Sequence, residues 1–492
     1  MNAAVAVLLA PVVAAILVAL VPGARAQRTL ALLGGVATFA VALTALVGSE
    51  IDLLWIPGLE VHFALSSEGA SGVLIVIAAL VMIPTLLYAS WQVKVKTGSY
   101  LALLLLMQAG LNGIFLARDL VLFYLFWEAT LIPSLMLLGL WGLARRRYAT
   151  LKYLVYAISG SFLMLIAVLA VRPLSGAASY RLDDLLASAP LMPYETQLWI
   201  FIGLALGLAV KLPMWPVHNW LIDFHEQNHP SGTADVTGTL YKVGGWGFVA
   251  WALPLLPDAA RVVSPILLSI AAFTALYGAA IAVSQTNLKR LLAYASLSHM
   301  GLVGVGIFGL HMAGISGGIY LLAAQMITTG GLFLVSGMLH SRRSTFELAR
   351  YSGLARSAPA LAAISLFILL ASIGVPGLAN FPGEFLSLLG TYQTNPWVAF
   401  IAVVAVVAAG IYGVNLYQQL YQGREEHGRV RDTSAMELLV LAPIVAGTLW
   451  LGLAPAPQLE RIEAHSSRVV AAFAATPAED QLPIGETPGG EP

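Results

Sequence analysis

Glu128, Lys211, Lys242 and Glu384 are ionisable residues set inside long apolar runs. At bilayer depth a charge costs about 2.5–3.5 kcal/mol on insertion scales, so such residues mark a function. Two acids and two bases on four separate hydrophobic segments form a pattern suited to passing a cation. The proton is the best candidate, because Lys and Glu both exchange protons when burial shifts their pKa values.

Each of the four has a telling neighbourhood. Glu128 lies in Phe126-Trp127-Glu128, ten residues past Arg118, which is roughly 15 Å along a helix axis and near mid-membrane. Lys211 precedes Pro213 and Pro216. A proline there frees carbonyls and can admit water beside the lysine, and Glu128 could be the carboxylate that holds its charge. Lys242 is surrounded by Gly238, Thr239, Gly244 and Gly245, small residues that permit water or close helix approach. Glu384 follows Pro376, Gly377, Pro382 and Gly383 in a run that reads as a broken helix. Structural alternatives stand beside each reading: a carboxylate bonded within the bundle, a snorkelling lysine, an acid near an exit surface.

His299, in Ser298-His299-Met300, could bridge proton transfer or serve as a satisfied polar residue. Gln325 can hold a water chain but cannot titrate. His218, His225 and His229 have a spacing that could be mistaken for a metal site, and polar contacts between helices are the preferred reading.

The elements that must position these groups are membrane helices. The chain is 59% hydrophobic and 10% charged, with a mean hydropathy of +0.84, which defines a polytopic α-helical membrane protein. The absence of cysteine excludes thiolate-held iron–sulfur clusters, c-type haem attachment and disulfides. No phosphate-binding loop, dinucleotide fingerprint or paired metal-ligand spacing is present, and no cofactor, metal or nucleic acid is expected. Fourteen apolar segments run from 3–22 to 435–454, and the first is read as a retained helix rather than a cleaved signal. Placing the N-terminus outside puts seventeen of the 25 Lys and Arg residues, Lys289 among them, on cytoplasmic loops and six on the outer side. Residues 49–69 suggest a hairpin, 182–186 a short amphipathic piece, and Ser434 with Glu437 a capping box. After the last span, Leu459, Ile462, Val469, Val470 and Phe473 form an apolar stripe expected to face a partner or the membrane surface. The tail from Pro477 is expected to be disordered.

Taken together, Phe126-Trp127-Glu128, Val210-Lys211-Leu212-Pro213, Leu240-Tyr241-Lys242, the run Leu288-Lys289-Arg290 through Ser298-His299-Met300-Gly301, and Ile373-Gly374-Val375-Pro376-Gly377 resemble the antiporter-like subunits of respiratory complex I. They are also similar to Mrp antiporter subunits and membrane-bound hydrogenase subunits. Glu384, where most relatives carry lysine, and the short chain after the last span point within this superfamily to the M-type subunits. One departure is Gln325, where relatives often carry histidine.

The resemblance implies an all-α fold of fourteen transmembrane helices with broken helices 7 and 12. It implies two inverted five-helix repeats, over 98–255 and 262–421, with flanking parts 1–97 and 435–492. It implies a relay of Glu128, Lys211, Lys242, His299 and Glu384, supported by Pro213, Gln325, Pro376 and Pro382. Redox chemistry would belong to other subunits, with no quinone, flavin or cluster on this chain. The partners would be neighbouring antiporter-like subunits of complex I and the lipid of a bacterial inner membrane, with both termini on the outer side. A sodium/proton antiporter of the Mrp type, a hydrogenase antiporter-like subunit and a helical scaffold without a conducted ion are the competing readings.

Overall fold

The computed structural model describes residues 2–236 and 242–475, with only the backbone described for Lys242 and Ala475. The tail from Pro477 lies outside the described residues. Two helices open the chain, α1 (Ala3–Leu20) and α2 (Ala24–Ala45). A β-hairpin follows, β1 (Glu50–Ile56) paired antiparallel with β2 (Val61–Ser66), as the polar 49–69 stretch suggested. Then come α3 (Ala70–Gln92), α4 (Thr97–Leu116), α5 (Leu120–Ala129), α6 (Leu131–Trp141) and α7 (Arg146–Ser175). After the short α8 (Leu182–Ser188), α9 (Tyr194–Lys211) stops at the lysine and α10 (Asn219–Gln227) resumes beyond a non-helical stretch. Residues 233–236 form α11 (Thr233–Val236), and beyond 237–241 come α12 (Lys242–Gly247), a π-turn (Phe248–Ala252) and α13 (Leu253–Leu255).

The remainder is α14 (Pro257–Val283), α15 (Leu288–Phe308), α16 (Met312–Arg343), α17 (Pro359–Ser372), α18 (Asn380–Thr394), α19 (Pro396–Tyr421), α20 (Ala435–Leu453) and α21 (Ala456–Ala475). Among the described residues, eleven helices are long and apolar enough to cross a membrane, counting α5 and α6 as one.

Burial sorts these helices into centre and rim. The apolar windows of α15 and α16 are fully enclosed by the rest of the chain, so these two form the axis of the bundle. They carry His299, Gln325 and Thr329, polar groups that belong in the bundle interior and not against lipid. The windows of α7, α14, α19 and α20 are less than half enclosed, and side chains such as Val155, Ile166, Val407 and Leu439 face outward. In a bilayer that outward surface meets lipid at no hydrophobic cost.

Capping holds the two ends. Asp119 begins α5 by accepting from the N–H groups of Val121 at 2.9 Å and Leu122 at 3.1 Å, and its second oxygen accepts from the His62 N–H of the hairpin. The expected capping box of Ser434 and Glu437 opens α20. Glu437 also takes a two-pronged contact from Arg342, at 2.7 and 2.9 Å. One expectation fails. The stripe on α21 is not free for a partner: Ile462 and Val469 are buried, and Leu459, Val470 and Phe473 pack on the same core. The helix folds back because α3, α16 and the π-turn leave a groove of matching apolarity, and Ser466 bonds Ser316 within it at 2.9 Å.

Candidate functional site

Lys211 is the last residue of α9 and only 3% exposed. Its Nζ donates to the Trp127 carbonyl at 2.8 Å and to Thr130 Oγ1 at 3.1 Å, and lies 4.1 Å from the centroid of the Trp127 ring. These acceptors exist because the helix carrying Glu128 is itself interrupted at Thr130. Pro133 has no N–H to return to the Ala129 carbonyl, so the ladder loosens there, and the Trp127 carbonyl accepts from the Thr130 hydroxyl at 2.8 Å as well as from Lys211. The expected direct pairing of Lys211 with Glu128 is not formed. The ammonium is held by Trp127 and Thr130, and Glu128 is half-buried beside the same turn.

The break after Lys211 is built by Pro213 and Pro216 and finished by side chains. The indole of Trp220 donates to the Val210 carbonyl at 3.0 Å, and Thr274 Oγ1 accepts from the Trp215 N–H at 3.0 Å. Freed backbone groups at membrane depth must find such partners. Against this break packs α12. A Cβ on Gly244 would stand 2.4 Å from the Leu212 nitrogen, and one on Gly247 would stand 2.2 Å from Leu208 Cδ2. The glycines beside Lys242 therefore serve close approach of its helix to the Lys211 turn. The side chain of Lys242 lies outside the described residues.

The second break separates α17 from α18, with Pro376 inside it and Pro382 in the first turn of α18. Asn380 ties its two ends, donating to the Ser372 carbonyl at 2.8 Å and accepting from Thr328 Oγ1 at 3.1 Å. Glu384 is 4% exposed and lies over the break. Gly374, at φ +74°, makes room for it, since a Cβ there would stand 2.1 Å from Glu384 Oε2. His299 of α15, 1% exposed, brings Nδ1 to 3.4 Å from Glu384 Oε1 and Nε2 to 3.1 Å from the Tyr412 hydroxyl. The first contact has ion-pair distance without hydrogen-bond alignment. The structure thus gathers Tyr412, His299 and Glu384 into one buried cluster. Gln325 accepts from Thr329 Oγ1 at 2.5 Å, and its Nε2 is buried without a partner.

A further cluster escaped the sequence reading. Lys289, assigned to a cytoplasmic loop, is in fact fully buried at the start of α15. Its Nζ lies 2.7 Å from Asp235 Oδ2, and Asp235 Oδ1 lies 2.9 Å from His225 Nδ1. The same ammonium donates to the carbonyls of Asn228 at 3.1 Å and His229 at 3.2 Å. His229 in turn lines an open cleft of about 540 Å³ with Lys94, Lys96 and Arg146. The three histidines after α9 diverge into separate contacts: His225 on Asp235, His229 on Ser231 at 2.8 Å, His218 against Tyr277. Chemically, these arrangements hold titratable groups at two helix breaks in a water-poor interior, where small movements change proton affinity.

A bundle with two broken helices, each bearing a buried ionisable group, is the architecture of an ion-translocating membrane subunit. Residues 117–410 match the family described as NADH:quinone oxidoreductase/Mrp antiporter, TM, and the chain belongs to that family. It is 45% identical over 398 residues to NADH-quinone oxidoreductase subunit 13 of Thermus thermophilus, covering 80% of this chain and 83% of that protein. It is 36% identical over 452 residues to NADH-quinone oxidoreductase subunit M of Rhodobacter capsulatus, covering 88% of each. A chain of respiratory complex I from Thermus thermophilus superposes with a TM-score of 0.91 at 40% identity, over 96% of this chain and 99% of that one. The Mrp complex of Dietzia shares the fold, with a TM-score of 0.82 at 21% identity over 96% and 98% of the two chains.

Proposed function

We propose that this chain is the M-type proton-translocating membrane subunit of a NADH-quinone oxidoreductase. Its breadth of likeness to subunits of that name supports the reading. The observation that carries it is the buried contact of His299 with Glu384 over the second helix break. A carboxyl group and a titratable ring enclosed together at membrane depth mark a functional site by default.

In this reading protons enter from the basic face, charge the Lys211–Lys242 region, pass through His299 and leave by Glu384 toward the outer side. Lys211 is released when Glu128 or the Thr130 turn shifts, because the two oxygens holding it belong to that turn. Gln325 contributes by ordering water. Electron transfer belongs to partner subunits, and lack of cysteine on this chain agrees with that division. We read the eleven long helices, the interrupted runs at 194–227 and 359–394 and the stretch 233–255 as fourteen crossings, grouped as two inverted five-helix repeats. The subunit sits in a bacterial inner membrane beside other antiporter-like subunits, both termini outward.

The test is NADH-driven proton uptake into inverted vesicles. Glu384→Lys, which keeps a titratable group, should retain part of the uptake, and Glu384→Ala should lose most of it. Equal uptake by wild type and the alanine variant would remove Glu384 from the path. Uptake that requires sodium would favour the antiporter reading instead.

A further inference from the structure

The basic end of the molecule carries a second feature with no part in that path. A cleft of about 360 Å³ opens between the end of α16, the start of α20 and the connection that precedes α20. Arg342, Arg343, Arg429 and Arg431 line it, with Trp91 among its other lining residues. Arg342 is engaged by Glu437. The other three have no carboxylate within 4.0 Å among the described residues. Arg343 props the connection by donating to the carbonyls of His427 and Gly428, yet its Nε is buried without an acceptor. Arg429 and Arg431 stand exposed.

Three guanidinium charges, two of them on exposed side chains, thus line one cleft with no carboxylate against them among the described residues. The arginine fork matches the oxygens of a phosphate, and each such bond is charge-assisted. What adjoins the cleft indicates where the phosphate comes from. One turn beyond Ser434, Leu438 and Leu439 are exposed on the outward face of α20, and Trp91 presents a part-exposed indole at the end of α3. Tryptophan favours the headgroup level, and exposed leucines below it favour acyl chains. A free phosphate would use the arginines and leave this apolar flank idle.

We propose that this cleft binds the phosphate diester of an anionic phospholipid, its headgroup among Arg343, Arg429 and Arg431 and its acyl chains along Leu438 and Leu439.

Because the chain has no cysteine, Ser341→Cys on the cleft wall gives one labelling site for a fluorophore on the full-length protein in mild detergent. Phosphatidylglycerol, phosphatidylcholine and inorganic phosphate are then titrated separately. Phosphatidylglycerol should saturate the signal at a concentration about tenfold below phosphatidylcholine, because the choline ammonium of the latter offsets the charge of the same phosphate diester beside the arginines. Arg429→Gln with Arg431→Gln should abolish that preference. Arg147→Gln with Arg356→Gln, which removes equal charge from exposed positions outside the cleft, should keep it. The proposal is overturned by equal affinity for the two lipids, by an unchanged preference in the Arg429/Arg431 variant, or by loss of it in the control variant. Displacement of phosphatidylglycerol by an equal concentration of inorganic phosphate would also overturn it, and would assign the cleft to the free anion.

Discussion

The side chains of Asp235 and Lys289 are each 0% exposed and meet at 2.7 Å, so neither can lose its partner cheaply. Lys289→Ala leaves a buried carboxylate whose remaining side-chain contact is His225, and should destabilise the protein by about 3–5 kcal/mol. Replacing both charges, as Asp235→Asn with Lys289→Met, should recover most of that loss in a detergent melting experiment. A double variant as unstable as the single one would mean that the charges are not the source of the effect. Thr130 offers a second prediction. Its hydroxyl is one of two oxygens on the Lys211 ammonium. Thr130→Val should lower NADH-driven proton uptake severalfold, and Thr130→Ser should restore it. Equal uptake in all three would leave the hydroxyl with a local role only. These residues differ in how visible they were. Glu128, Lys211 and Glu384 stand out because a charge in an apolar run is anomalous. Lys289 stands beside Arg290 at the edge of a run and reads as an ordinary loop cation. Its burial depends on Asp235, more than fifty residues earlier, and no local pattern reports that. The direct Glu128–Lys211 pair was expected from opposite charge alone, and the carbonyl of Trp127 took the place of the carboxylate.

Breaks in helices are what bring these side chains to their places. Prolines announced two of them, after Lys211 and before Glu384. The interruption at Thr130 was missed, although Pro133 was its signal. The π-turn at Phe248–Ala252 was missed as well, although Pro254, which has no N–H for the Ala250 carbonyl, was its signal. The break before Glu384 also depends on glycine in a way that can be tested. Gly374 and Gly377 both have positive φ, +74° and +87°. A methyl group at 374 would strike Glu384 Oε2, whereas at 377 the nearest atom is Leu453 Cδ2 at 3.8 Å. Both alanine variants should lose about 1–3 kcal/mol to backbone strain. Gly374→Ala alone should drop proton uptake toward the level of Glu384→Ala. If the two glycine variants pump alike, the seat of the carboxylate is not what Gly374 provides.

Across the whole molecule, distant segments hold the helix ends. Asp432, in the connection before α20, accepts from the N–H groups of Ala360 at 3.0 Å and Leu361 at 3.1 Å and so caps α17. Desolvation opposes its ionisation, but the N–H groups of Ala360, Thr433 and Leu361, with Arg342, outweigh that and hold its pKa below the ordinary carboxylate value. The folded pKa is therefore the lower one. The stabilisation is complete above the unfolded value of about 4 and disappears as pH falls through the folded value. Melting temperatures of wild type and Asp432→Asn should differ near neutral pH and converge in acid. A gap of constant size would exclude the carboxylate charge as its cause. The other long-range tie is α21, which lies in a groove of its own chain with Arg461 bonded to the Leu46 carbonyl and Arg261 bonded to the Phe473 carbonyl at 2.6 Å. This helix is made after α1 to α20, and it packs at the end of the bundle beside Trp246 and the π-turn. Docking of α21 is therefore a late step of folding: the groove along α3, α16 and the π-turn can close only once this last of the described helices has been made.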